Sequence, residues 1–451
     1  MIGVSLSRWT ISYFAAALVA FLVAQILMLA GYGYPNVPIE APETLVLVHL
    51  IALGWLSLLI SGALFQFVPV LVARTLYSNK LPLPTLVFLL GGLAALVLGF
   101  LQLGGQIALV FPFFPVASAL LGAGFGLIIW NLGRTLWPGR PLPLPARFVV
   151  VGLVSIAATA TIGIIFALVL SGAITQVNFL KITASGIPIH VIAGLGGWLT
   201  FTAMGVSYRL LAMFMLAPEF DGRSTRAALY LGTSALVIAI AGGAAAICLG
   251  GNLNLVLLAA AAFGIAALAF YGYDILRLYW ARKRRNLELN SRVAILALLS
   301  LALAAALTIV TLALGNLPRH AGAIVFLLAF GWLSGLGVAK LYKIVPFLTW
   351  LECYGPVLGK APTPRVQDLV VEERAIKWFL LYFLAVWLGT IALMVGYAPA
   401  FRGTVAVMII ATSGIIVQLV RARQLADVDT TARIPKGARK PRLLLSLSQR
   451  T

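Results

Sequence analysis

The sequence predicts an all-α, polytopic membrane protein: twelve transmembrane helices in three four-helix arcs with pseudo-threefold symmetry. Three observations predict it. Hydrophobic residues make up 62% of the chain and charged residues 10%, against about 25% charged in a soluble domain. Lys and Arg fall on alternate connections, as the positive-inside rule requires. One phrase built on Gly-Trp recurs three times along the chain.

The first apolar run, 10–32, is as long as a full span and has no small-residue cleavage site before the next run. It is therefore read as a span and not as a removable signal. Spans 2 (44–70) and 3 (85–108) are joined by a connection holding Arg74 and Lys80. Spans 4 (112–133) and 5 (148–171) flank Arg134, Arg140 and Arg147 in the Pro-rich stretch 138–145. Spans 6 (187–213) and 7 (227–249) flank Arg223 and Arg226. Between spans 8 (254–276) and 9 (293–314) lies the run Arg277, Arg282, Lys283, Arg284, Arg285 and Arg292. Spans 10 (320–349) and 11 (377–397) flank a second Pro-rich connection, 356–364, and span 12 (403–420) leads into a basic tail, 421–451. If these connections are cytoplasmic, both termini are cytoplasmic too. Only Lys181, Arg319 and Arg402 fall in loops on the opposite side. The location predicted is a bacterial-type inner membrane.

The repeat sits on the second span of each unit, the units being 1–145, 146–292 and 293–420. Copy one runs His49-Leu-Ile-Ala-Leu-Gly-Trp55, then Gly62, Gln66 and Pro69. Copy two runs from His190 to Gly197-Trp198, then Gly205 and Arg209; copy three runs from His320 to Gly331-Trp332, then Ala339, Lys343 and Pro346. From each Trp a small residue lies at +7 and a long polar one at +11, and the Trp residues are 143 and then 134 positions apart. The small residues suit close helix packing. Arg209, Lys340 and Lys343 are expected to snorkel toward the cytoplasmic interface.

All three histidines of the chain belong to this repeat, in the outer third of spans 2, 6 and 10. Ionisable residues in a membrane are costly and point to function by default, and imidazole is a common ligand of haem iron and copper. The histidines precede their Trp by 6, 8 and 12 residues. At about 100° per residue, His190 and His320 share a face while His49 projects elsewhere. That phase favours a pair with the third histidine separate, not one symmetric three-histidine site.

The net charge of +20 does not indicate nucleic acid, because the cations are spread over every inner connection and match anionic lipid instead. Cys248 and Cys353 are far apart and are expected to be unlinked, and no CxxCH or CxxC occurs.

The arrangement resembles subunit I of the haem–copper oxidase superfamily. The stretch His49 through Gly62-Ala-Leu-Phe-Gln-Phe-Val-Pro69 is similar to that family's second helix, and Lys343-Ile-Val-Pro346-Phe to the exit of its tenth. The resemblance implies that His49 and His320 ligate a b-type haem, that His190 stands on the copper-bearing helix, and that Arg319 or Arg402 lies near haem propionates. Phase pairs His190 with His320; the resemblance pairs His49 with His320.

Departures accompany the likeness. Span 7 has no histidine, Arg319-His320 replaces a His-x-His, and the helix-6 His-Pro-Glu-Val-Tyr signature is absent, leaving Pro188-Ile-His190. The resemblance is nearer to divergent members, including NnrS-type proteins of the nitric-oxide response, than to an oxidase. It implies electron transfer, haem or copper handling, or nitric-oxide response beside a redox partner or respiratory subunits, without terminal oxidase or nitric-oxide reductase activity from this chain alone. The other classes the sequence allows are a cofactor-free transporter or channel and an accessory subunit of a respiratory complex.

Overall fold

A computed structural model of the chain describes residues 8–430 and 433–444. Parts of the basic tail, 431–432 and 445–451, lie outside the described residues. Among the described residues twelve helices are long and apolar enough to cross a membrane. They are α1 (Thr10–Leu29), α2 (Pro42–Leu71), α3 (Pro82–Leu103), α4 (Phe113–Gly139), α5 (Leu144–Leu170) and α6 (Ile187–Met215). The second half comprises α7 (Arg223–Leu249), α8 (Leu253–Trp280), α9 (Leu289–Ala313), α10 (Leu317–Val357), α11 (Glu372–Val395) and α12 (Ala398–Arg423).

Every predicted span is present, but several begin earlier than hydropathy suggested. Six of the twelve have Pro at the first or second position, namely Pro42, Pro82, Pro145, Pro188, Pro318 and Pro399. Proline suits the first turn because its missing N–H has no helical partner there. Five of these six helices start ahead of their apolar runs, α6 being the exception. Arg319 and Arg402, expected in loops, therefore stand inside α10 and α12. At 41 residues, α10 is about 60 Å long and continues well past Pro346, which does not end the helix as an exit would.

The chain forms two compact units, Met1–Ala63 with Glu288–Thr451, and Leu64–Leu287. This division does not coincide with the three sequence units, since it cuts the first of them inside α2.

Each Gly-Trp phrase is a π-helical segment within its span: Leu50–Ser57 in α2, Ile192–Phe201 in α6 and Leu327–Ser334 in α10. Trp55, Trp198 and Trp332 are all buried. The glycine before the Trp lets the preceding span approach. A Cβ at Gly197 would lie 2.4 Å from Ser155 Oγ of α5, and one at Gly331 2.7 Å from Ser300 Cβ of α9. The small residue at +7 meets aromatics of the same preceding helix. A Cβ on Gly62 would fall 2.7 Å from Tyr13 Cβ of α1, and one on Gly205 2.4 Å from Phe148 Cβ and 2.9 Å from the Pro145 carbonyl oxygen of α5. Sequence spacing thus encodes both contacts in α5·α6, the second of them again in α1·α2 and the first in α9·α10. Gly205→Ala should cost about 1–3 kcal/mol by overpacking, because the Pro145 carbonyl oxygen is backbone and cannot rotate away. Detergent-solubilised protein carrying this change should melt below the parent; an unchanged melting curve would refute the close approach.

Two of the three cations assigned to the outer side have a structural use. Lys181, on a short helix Val177–Ser185 that hydropathy missed, donates through Nζ to the Cys248 carbonyl at 3.1 Å, one residue before the end of α7. Arg402 donates through Nε to the Leu29 carbonyl at 2.8 Å, the last residue of α1. Each satisfies an orphan carbonyl at the negative end of a helix dipole.

Candidate functional site

His49 is the residue immediately before the π segment of α2, and its ring is half-buried. Nδ1 lies 2.7 Å from the Leu45 carbonyl oxygen one turn back. A carbonyl can only accept, so Nδ1 carries the proton and the ring lone pair resides on Nε2. Histidines that ligate metals characteristically have the other ring nitrogen held in this way.

His320 is the fourth residue of α10 and is half-buried, beside exposed Arg319. Two residues on, Gly322 faces the loop between α1 and α2: a Cβ there would lie 2.6 Å from Tyr34 Oη. Burial raises the Tyr34 hydroxyl above its ordinary pKa, so it stays a neutral hydroxyl against this turn.

The relative depth of these two histidines follows from how α2 and α10 pack. Trp55 Nε1 donates to Ser334 Oγ at 2.8 Å, and a Cβ at Gly337 would lie 2.6 Å from Leu59 Cδ2. Leu59 is ten residues beyond His49, whereas Gly337 is seventeen beyond His320. At about 1.5 Å per residue, His320 stands roughly two turns, ~10 Å, farther toward the start of its helix. Two imidazoles on one iron have their nitrogens only about 4 Å apart. The register therefore sets His49 and His320 at different depths along α2 and α10.

His190 has a different environment. Its Cε1 lies 3.1 Å from the position of a Cβ on Gly163, and its ring centroid is 5.4 Å from that of Phe166, both on α5. It belongs to the compact unit 64–287, while His49 and His320 belong to the other. Arg402 spends its Nε on the end of α1. Among the described residues no group of three or more His, Cys, Asp or Glu is placed to hold a metal ion. Cys248 and Cys353 are unlinked.

Two of the three polar residues at +11 make ion pairs. Arg209 pairs with Glu219, and Lys343 Nζ lies 2.7 Å from Glu288 Oε2. Lys343, Glu288, Tyr342, Asn290 and Glu372 line a shallow crevice that opens to solvent. Lys340 departs from the snorkelling expected of it, being only 7% exposed. It lies one turn before Lys343, where neighbouring helices enclose its stem and leave the ammonium no way out.

Two buried carboxylates escaped the sequence reading. Asp274 of α8 is fully buried and accepts from Tyr208 Oη at 3.0 Å, Ser224 Oγ at 2.5 Å and Thr225 Oγ1 at 2.8 Å. Ser224 and Thr225 occupy the first turn of α7, so the carboxylate sits at the positive end of that helix dipole. Glu352 of α10 pairs with Arg423 of α12 at 2.5 Å, their side chains 1% and 3% exposed. Arg423 also donates to Thr349 Oγ1 at 3.1 Å. Nearby in sequence, Asp427 takes bonds from Arg421 and Arg374. Burial alone would raise its carboxyl, but these two guanidinium groups outweigh burial and hold it below the ordinary carboxylate value. The available signal was an acid inside an apolar run; reading only Lys, Arg and His passed over it.

The chain matches no protein-family model and no curated protein.

Proposed function

We propose that the chain is an integral protein of a bacterial-type inner membrane, built on the three-unit plan of oxidase subunit I, with both termini cytoplasmic. Its role in this reading is electron transfer or haem handling in a respiratory or nitric-oxide-responsive membrane, next to a redox partner. The observation that carries the reading is the triple recurrence of a buried Trp in a π segment on α2, α6 and α10. It supports pseudo-threefold placement of those helices, and π segments often mark functional positions.

His49 is the residue we assign to a b-type haem. The Leu45 carbonyl holds Nδ1–H and orients the ring as the rings of metal-ligating histidines are oriented. A haem bound there would supply one-electron chemistry in the membrane. The chain's three histidines are too few and too scattered for the binuclear copper centre of the oxidases, so no oxygen or nitric-oxide reduction is assigned to it.

The reduced-minus-oxidised optical spectrum of the purified protein, with metal analysis, tests this. A b-type signal is expected in the parent, lost in His49→Ala and retained in His190→Ala. Retention in His320→Ala would agree with the register of α2 and α10; loss would support the pairing implied by the resemblance. A parent protein with neither signal nor metal would reject the haem reading. The cofactor-free carrier or channel would then lead, on the strength of Lys340 buried one turn beyond the Lys343 crevice.

A further inference from the structure

We infer that the C-terminal tail is a binding site for anionic phospholipid, with Leu443 and Leu444 seated in the membrane and Arg439, Lys440 and Arg442 at the headgroups. The tail is fastened by its backbone. Tyr354 Oη donates to the Arg433 carbonyl at 2.8 Å, and Arg439 N to the Cys353 carbonyl at 3.3 Å. Arg423 donates to the Arg442 carbonyl, and Ser12 Oγ to the Leu444 carbonyl at 2.7 Å. Ala438 packs against the apolar cluster of Cys353, Tyr354, Val357, Leu369, Leu425 and Val428.

With the backbone turned to the protein, the side chains turn out. Lys436, Arg439, Lys440 and Arg442 are exposed, and Leu443 and Leu444 are 52% and 51% exposed. Exposed leucines beside three cations suit neither water nor a protein core. They suit the boundary of an anionic leaflet. Ser12 fixes the depth: it is the third residue of α1, so Leu444 lies where that span meets the headgroups. Each Lys or Arg held near an anionic surface favours binding by about 1 kcal/mol, roughly fivefold. Two leucines add apolar burial in the acyl region. Zwitterionic lipid offers the second contribution and not the first.

The ligand would also report on the protein interior. Arg423, which holds the Arg442 carbonyl, is the buried partner of Glu352. Docking the tail on lipid therefore bears on an ion pair between α10 and α12. The inference does not depend on haem, and symmetric vesicles make it independent of which leaflet is cytoplasmic.

The test uses the full chain with Leu443→Cys and Cys248→Ala, buried Cys353 being left in place, labelled with an environment-sensitive fluorophore and reconstituted in vesicles. With 30% phosphatidylglycerol the label should be blue-shifted and quenched by brominated acyl chains, and less so in pure phosphatidylcholine. Arg439→Gln, Lys440→Gln and Arg442→Gln should each weaken the phosphatidylglycerol dependence about fivefold. Equal quenching in both lipids would overturn the inference, as would a water-like label throughout or a triple variant that behaves as the parent. Inorganic phosphate should not compete; competition would assign the site to free anions instead.

Discussion

Glu352→Ala should destabilise the protein by about 3–5 kcal/mol, the cost of leaving a buried guanidinium without its carboxylate. Arg423 is 3% exposed and also donates to two neutral acceptors, Thr349 Oγ1 and the Arg442 carbonyl. Removing the acid leaves a cation that neither water nor lipid can reach. Replacing both partners, with Glu352→Leu and Arg423→Met, should recover most of the loss, because a buried pair exchanged for apolar residues of similar volume is often neutral. Equilibrium unfolding in mixed micelles distinguishes the cases. A loss below about 1 kcal/mol for Glu352→Ala would mean that the pair is solvated and holds nothing together.

Asp274→Ala should be nearly as damaging, at about 2–5 kcal/mol, since it removes the acceptor of three hydroxyls, and bonds to a charged group contribute about 1.5–3 kcal/mol each without adding fully. Asp274 ties α6 through Tyr208 and α7 through Ser224 and Thr225 to α8. Asp274→Asn should be milder, because the amide oxygen still accepts while the charge opposite the α7 dipole is lost. Hydrogen exchange in the first turn of α7, residues 223–228, should accelerate in both variants and more in the alanine. Unchanged protection there would remove the capping role from Asp274.

The fold was legible because a membrane selects strongly on the residues that touch it. Twelve apolar runs gave twelve helices, and the Gly-Trp spacing gave contacts that the structure contains at Gly62, Gly197, Gly205 and Gly331. Ends of helices were less legible. Arg319 and Arg402 are the third and fifth residues of helices that carry Pro at their second position and start ahead of the apolar runs. The histidines were readable as a group but not as a geometry. Phase was counted at 100° per residue through segments that are π-helical, where each turn takes up more residues. Their depths also depend on the register of α2 against α10, which Trp55, Ser334, Leu59 and Gly337 set and no periodicity in either helix reveals. Lys340 was assigned to an interface by its position near the end of a run, but α10 runs on to Val357 and carries it into the packed interior.

The π segments have a consequence for which side chains share a face. A π turn takes up more residues than an α turn, so in each Trp-bearing helix the residues after the segment are turned relative to those before it. The change falls at the same place, around Gly-Trp, in α2, α6 and α10. The stretches before and after Gly-Trp therefore present different faces to their neighbours within one unbroken span.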